Sequence, residues 1–264
     1  MLPAPRGGTS FFSEEVMKKA LSALVGTALF AIAGAAFAQQ QWSGSYSPSM
    51  PSRSSGLDNI GEEMQFVFGV DRVTALSFDR LTFSPDQGDD TTVKTTTISL
   101  FGINNQSLQG GTPSTTVPRL ALDYFVAEGI SVGGSLVFIS SSGTQETGSQ
   151  SADLPTVTNF LISPRVGYAM QFDETFSFWP RAGITYISTK ADSDADTESW
   201  HGLDLTVEGM FGISPFSHFA ILVGPYLDLG LSGTATSEPQ GGPSTDTDAK
   251  LTGFGLTSSI VGYY

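Results

Sequence analysis

Three proline–arginine pairs, Pro118-Arg119, Pro164-Arg165 and Pro180-Arg181, stand in stretches otherwise built from apolar and small residues. Alternation along those stretches puts Arg119, Arg165 and Arg181 on the same kind of face as Asp123, Asp204, Glu208 and Asp228. A charge on a confined small-residue face is costly without a partner, so the seven groups are expected to form one salt-bridged network. Such a network either fills a narrow interior as a plug or lines a narrow pore with opposed charges. Proline removes a ladder donor, so Pro164 and Pro180 are expected to mark bulges.

Other chemistry is thinner. Asp192, Asp194, Asp196 and Glu198 alternate in one acidic stretch, and spaced carboxylates are a candidate calcium site. The glycine that a calcium loop needs at its sharp turn is absent, so a solvated acidic loop is the expectation. The two histidines, His201 and His218, head a strand and sit in a short turn, which the topology puts at opposite ends. They cannot serve one nucleophile as its base, and no enzyme activity or cofactor is expected. The absence of cysteine excludes a disulfide scaffold, a thiol enzyme and a Cys-ligated metal. With 12 Lys+Arg against 26 Asp+Glu, nucleic acid is not an expected partner.

The elements that must hold these charges show in the patterning. Met17-Lys18-Lys19, the apolar run Leu21 to Phe37 and the Ala36-Phe37-Ala38 end read as a signal peptide over 1–38, with translation starting at Met17. Residues 39–61 are rich in Ser, Pro and Gly and read as a flexible segment. Removing residues 1–38 leaves 12 − 3 = 9 basic and 26 − 2 = 24 acidic residues, a net charge of −15. From residue 62 onward the chain alternates with period two, the mark of strands. In 159–172, Phe160, Ile162, Pro164, Val166, Tyr168, Met170 and Phe172 oppose Asn159, Leu161, Ser163, Arg165, Gly167, Ala169 and Gln171. Eight stretches follow this rule.

The face opposite the apolar one decides the architecture. It is Gly, Ala, Ser and Thr with a few charges, not the Lys- and Glu-rich surface of a soluble sheet. Small residues with pairable charges suit an interior, and a continuous apolar face suits lipid. Strands of ~9–11 residues cross a bilayer when tilted, and only a closed barrel leaves no unpaired edge there. The expectation is an all-β fold: a closed antiparallel up-and-down transmembrane β-barrel over 62–264, with 8 strands or, if Thr95 to Ile103 adds a hairpin, 10. The alternative is a secreted soluble barrel or sandwich with its apolar face inward. Short connections at 127–129, 173–175 and 214–218 alternate with long ones at 140–156, 190–199 and 232–250, read as periplasmic turns and outer loops. Trp179 is expected as interior filler and Trp200 as an interface anchor.

The signal peptide, the alternation of short turns and long loops, and the terminal strand ending in Val261-Gly262-Tyr263-Tyr264 resemble the small outer-membrane β-barrel superfamily of Gram-negative bacteria. The blocks at 117–124, 163–168 and 179–183 resemble its uncharacterised barrel-domain members. The resemblance implies an outer-membrane location after export, and a monomer whose partners are outer-membrane lipid and lipopolysaccharide. It also implies that Phe254, Leu256, Ile260 and Tyr264 are read by the barrel-assembly machinery, with Tyr where Phe usually ends the chain. Loose divalent bridging to lipopolysaccharide phosphates is a middle case for the acidic stretch. A structural or surface-interaction role is the leading expectation. A narrow channel for small solutes or ions comes second, and a lipid A-modifying enzyme third.

Overall fold

The structure is a computed structural model that describes residues 60–85, 88–100, 116–147, 150–193 and 195–264. The expected signal peptide and the segment as far as residue 59 lie outside the described residues.

The alternating stretches form strands β1 (Phe66–Ser84), β2 (Thr91–Leu100), β3 (Arg119–Ala127), β4 (Ile130–Thr147), β5 (Gln150–Tyr168), β6 (Met170–Gln171), β7 (Phe176–Asp192), β8 (Asp196–Phe216), β9 (Phe219–Pro239) and β10 (Thr245–Tyr263). Every pairing is antiparallel, and β1 pairs with β10, so the sheet closes on itself. The ten segments occupy eight places in the ring. β3 pairs with the inner half of β1, Phe66 to Asp71, and β2 with its outer half, Thr74 to Phe83. The two pieces share one place, and β6 continues β5 along β7. The ten-strand alternative is thus overturned: Thr91–Leu100 supplies half a wall position rather than a new hairpin.

The apolar side chains face out. Phe68, Leu122, Phe211, Val223 and Leu256 are all about half exposed, whereas Trp179, Met210 and Leu222 on the opposite face are fully buried. On β9, Ile221, Val223, Pro225, Leu227, Leu229 and Leu231 form an unbroken outer row. At ~3.3 Å per residue, with the tilt of a closed barrel, such a row covers the ~25 Å apolar band of a membrane-spanning wall.

Connections at one end are tight. Ser217 and His218 join Phe216 to Phe219, with His218 at φ 64°, and Gly129 takes φ 76° between β3 and β4. At the other end the expected long loops are largely paired strand. The β4–β5 ladder runs to Thr147 and Gln150, the β7–β8 ladder to Asp192 and Thr197, and the β9–β10 ladder resumes at Ser237 and Thr245. Ser- and Thr-rich stretches read as loops by composition, but alternating Thr fits a pleated surface. True turn residues, such as Gly241 at φ 76°, sit only at the tips.

The expected bulges at Pro164 and Pro180 do not occur. Pro164 lies opposite Gly134 and Pro180 opposite Gly209 with no shift in register. Both prolines face outward, and each costs a ladder bond without displacing its neighbours. The register shift that matters lies in β1, where two extra residues separate the pairs Val70–Ile260 and Thr74–Ser258.

Inside, the ring is filled in three layers. The floor, at the tight-turn end, is Val67, Phe125, Trp179, Met210, Leu222, Val261 and Tyr263, together with Ile60 from ahead of β1. Ile60 is pinned there: Gln171 Nε2 donates to its carbonyl at 2.8 Å, and Gly129 N donates to Gly61 O at 2.8 Å. The roof is Leu81, Val137, Leu161, Ile187, Trp200 and Leu251. Trp200 is therefore no interface anchor. It is 3 % exposed and donates from Nε1 to Ala249 O at 3.2 Å inside the ring. Between floor and roof lie the charges.

A charged belt inside the ring

Even spacing along each strand turns every second residue inward, which brings Arg119 and Asp123 on β3, Arg165 on β5, Arg181 on β7, Asp204 and Glu208 on β8, and Asp228 on β9 into one layer. All seven expected groups are buried. Asp71 and Arg72 from β1 join them, so four guanidinium groups face five carboxylates.

Arg165 is the hub. Its Nε and Nη2 grip the two oxygens of Asp123, while Nη1 meets Asp71 Oδ2 at 2.5 Å and Glu208 Oε2 at 3.7 Å. Arg181 Nη2 bonds Glu208 Oε2 at 2.8 Å and reaches Asp71 Oδ1 at 3.4 Å. Arg72 holds Asp228 in a fork, Nη1 to Oδ2 at 2.8 Å and Nη2 to Oδ1 at 3.0 Å, and lies 4.1 Å from the centre of the Tyr226 ring. Planar forks of this kind are the strongest protein ion pairs. A run of hydroxyls continues from Asp228: Thr206 donates to it at 2.8 Å, Thr185 lies 2.6 Å from Thr206, and Ser163 lies 2.7 Å from Thr185. Asp204 differs from the rest. It is fully buried, and neither of its oxygens accepts a hydrogen bond from the described residues.

Glycine makes room for these large side chains. Across β5–β7, Arg165 stands opposite Gly183 and Gly167 opposite Arg181. The two Pro-Arg-x-Gly blocks thus interlock, each arginine over the other's glycine. A Cβ at Gly183 would come 2.9 Å from the Arg165 Cβ, and one at Gly167 would come 2.4 Å from Trp179 Nε1.

Asp71 and Arg72 are the belt residues that sequence reasoning left out, and Arg72 is the one that alternation turns the wrong way. Strict alternation puts it outside with Phe68 and Val70. The two extra residues of β1, with Arg72 at φ 56°, let Asp71, Arg72 and Val73 all turn in. An adjacent Asp-Arg pair inside an apolar strand was the available signal.

The other candidates stay apart from the belt. Lys190 Nζ pairs with Asp192 at 2.8 Å and Thr197 donates to the same carboxylate at 2.9 Å. These two bonds, Lys190 first, hold the Asp192 carboxyl below the usual carboxylate range. Asp196 is bonded by Ser193, Asp194 lies outside the described residues, and no group of three metal-ligating side chains forms among the described residues. His201 pairs with Ser188 and Thr234 in the extended end of β8, while His218 lies in the tight turn at the opposite end, its ring stacked on Tyr264 at 4.8 Å. Phe254, Leu256 and Ile260 are exposed on the outer face of β10, and Tyr264 is exposed just past its end.

A closed antiparallel barrel with apolar residues outside and paired charges within is inverted relative to a soluble one. No family model matches the chain, and no curated protein matches it either. Solved structures are similar to it. They include the outer membrane protein OprG from Pseudomonas aeruginosa (10 % identity, 76 % of this chain and 96 % of that one, TM-score 0.44). The outer membrane protein AlkL in lipid bilayers is another (13 % identity, 82 % and 96 %, TM-score 0.44). A third is the attachment invasion locus protein Ail of Yersinia pestis in complex with a heparin analogue (13 % identity, 75 % and 99 %, TM-score 0.35). Two of the three, OprG and AlkL, are outer membrane proteins by name.

Proposed function

We propose that the chain is an integral outer-membrane barrel, exported by its N-terminal segment, with a structural or surface-interaction role and no catalytic one. One observation carries this reading: buried side chains stack through the ring as an apolar floor, a charged belt held by the Arg165 and Arg72 ion pairs, and an apolar roof. The outer apolar row supports insertion in lipid, and the filled interior supports a plug rather than a passage. Planar-bilayer recording of the refolded chain tests it. No steady conductance steps are expected, and reproducible single-channel steps would refute the plug.

A narrow channel is the second reading, and Asp204 is what favours it. A buried carboxylate that accepts no hydrogen bond from the described residues is the one member of the belt with capacity left for a passing cation. Under that reading Asp204→Asn abolishes any cation selectivity measured in the same bilayers.

A further inference from the structure

Eight basic residues lie among the described residues, four of them in the belt. Three of the other four share one patch on the outer wall. Lys94 on β2 stands directly opposite Arg80 on β1. On the far side of β1, Thr82 is opposite Lys250 and Arg80 opposite Thr252, which makes Arg80 and Lys250 diagonal neighbours. All three side chains are exposed.

Like charges directly opposite one another on a sheet repel. This chain has 26 acidic residues to put between them. Yet Arg80, Lys94 and Lys250 make no ion pair among the described residues, whereas Lys190, the fourth outer cation, is bonded to Asp192. No carboxylate among the described residues is bonded to any of the three. Asp79 takes the hydroxyl of Ser77 on the inner face, and Asp248 lies a further step out on β10, opposite Ser84. Asp89 and Asp90 are at the tip of the β1–β2 connection.

Immediately inward of the three cations the wall turns apolar. Phe78 and Phe254 stack at 5.1 Å, and Ile98, opposite Leu76, is 75 % exposed. The first polar outward positions on β4, β5 and β8 are Ser140, Thr158 and His201, none of them a lysine or arginine. A triad of unpaired cations above an aromatic step, on one side only, matches an anionic head group above acyl chains.

We propose that this patch docks a phosphorylated outer-leaflet lipid, its phosphates held by Arg80, Lys94 and Lys250 and its acyl chains lying over Phe78, Phe254 and Ile98. The proposal rests on the reading that the apolar face meets lipid.

The test uses the full chain refolded in detergent. Retention of diphosphoryl lipid A and of the same lipid stripped of phosphate is compared by native mass spectrometry. The wild type is expected to retain the phosphorylated lipid about tenfold more strongly. The triple variant R80Q/K94Q/K250Q is expected to lose that preference, and K190Q to keep it. Millimolar inorganic phosphate is expected to leave retention unchanged, which separates a lipid site from a free-phosphate site. Equal retention of the two lipids by the wild type overturns the proposal, as does an unchanged preference in the triple variant or an equal loss in K190Q. Heat-modifiable migration on gels reports folding. Should the triple variant not fold, K94Q and K250Q singly are read the same way, each lowering the preference. A chain that disperses in buffer without detergent would instead remove the membrane reading itself.

Discussion

The floor and the belt fill the same ring by different physics. The floor, with Phe125, Trp179, Met210 and Leu222, gains from volume alone, and each side chain needs only neighbours of the right size. The belt gains only if each charge has its counter-charge, because a buried ion without a partner costs several kcal/mol. A change in the floor should therefore be local and graded. A change in the belt should propagate to every group that the lost side chain served.

The sharpest way to break this contrast is Arg165→Ala. It leaves Asp71 and Asp123 facing each other across an emptied space, and about 3–5 kcal/mol of unfolding free energy should be lost in urea titrations in liposomes. Replacing Arg165 and Asp123 together by Met and Leu should return part of that loss. Gly167→Ala tests the border between the layers. Its Cβ meets both Trp179 Nε1 and Ser131 Oγ, so the 3.1 Å bond between those atoms should break at a cost of about 1–3 kcal/mol, visible as a shift in tryptophan emission. Asp204→Asn should not lower stability in the same urea titrations, since no hydrogen bond from the described residues is lost and a buried carboxylate is replaced by a neutral amide.

The smallest effect lies outside both layers. The Asp192 carboxyl, held down by Lys190 and Thr197, contributes stability that is present above the ordinary carboxylate value of 3.8 and is lost as the pH falls through its lower folded value. An NMR titration of Asp192 should show a midpoint below 3.8, and Lys190→Gln should move it back toward that value.

Much of the wall was legible because alternation has only two phases. Once Phe160, Ile162 and Val166 point out, Leu161, Ser163 and Arg165 have no choice. The belt followed from the same rule for Arg119, Asp123, Arg165, Arg181, Asp204, Glu208 and Asp228. Arg72 escaped it, because a bulge at φ 56° overrides parity and leaves no trace in residue spacing. Trp200 reads as an interface anchor because 190–199 reads as a loop and Trp200 as a strand start, whereas the ladder carries on past it to Asp196 and Pro239. The place shared by β2 and β3 was hidden for a related reason: composition does not say whether two short strands lie side by side or end to end.

Ile60 stands before the first strand, yet it rests among Val261 and Tyr263 of the last. The beginning and the end of the barrel therefore hold each other in place. The floor around Ile60 is incomplete until Val261 and Tyr263 close on it. Clipping the last two residues should unfasten a segment some two hundred positions earlier in the chain.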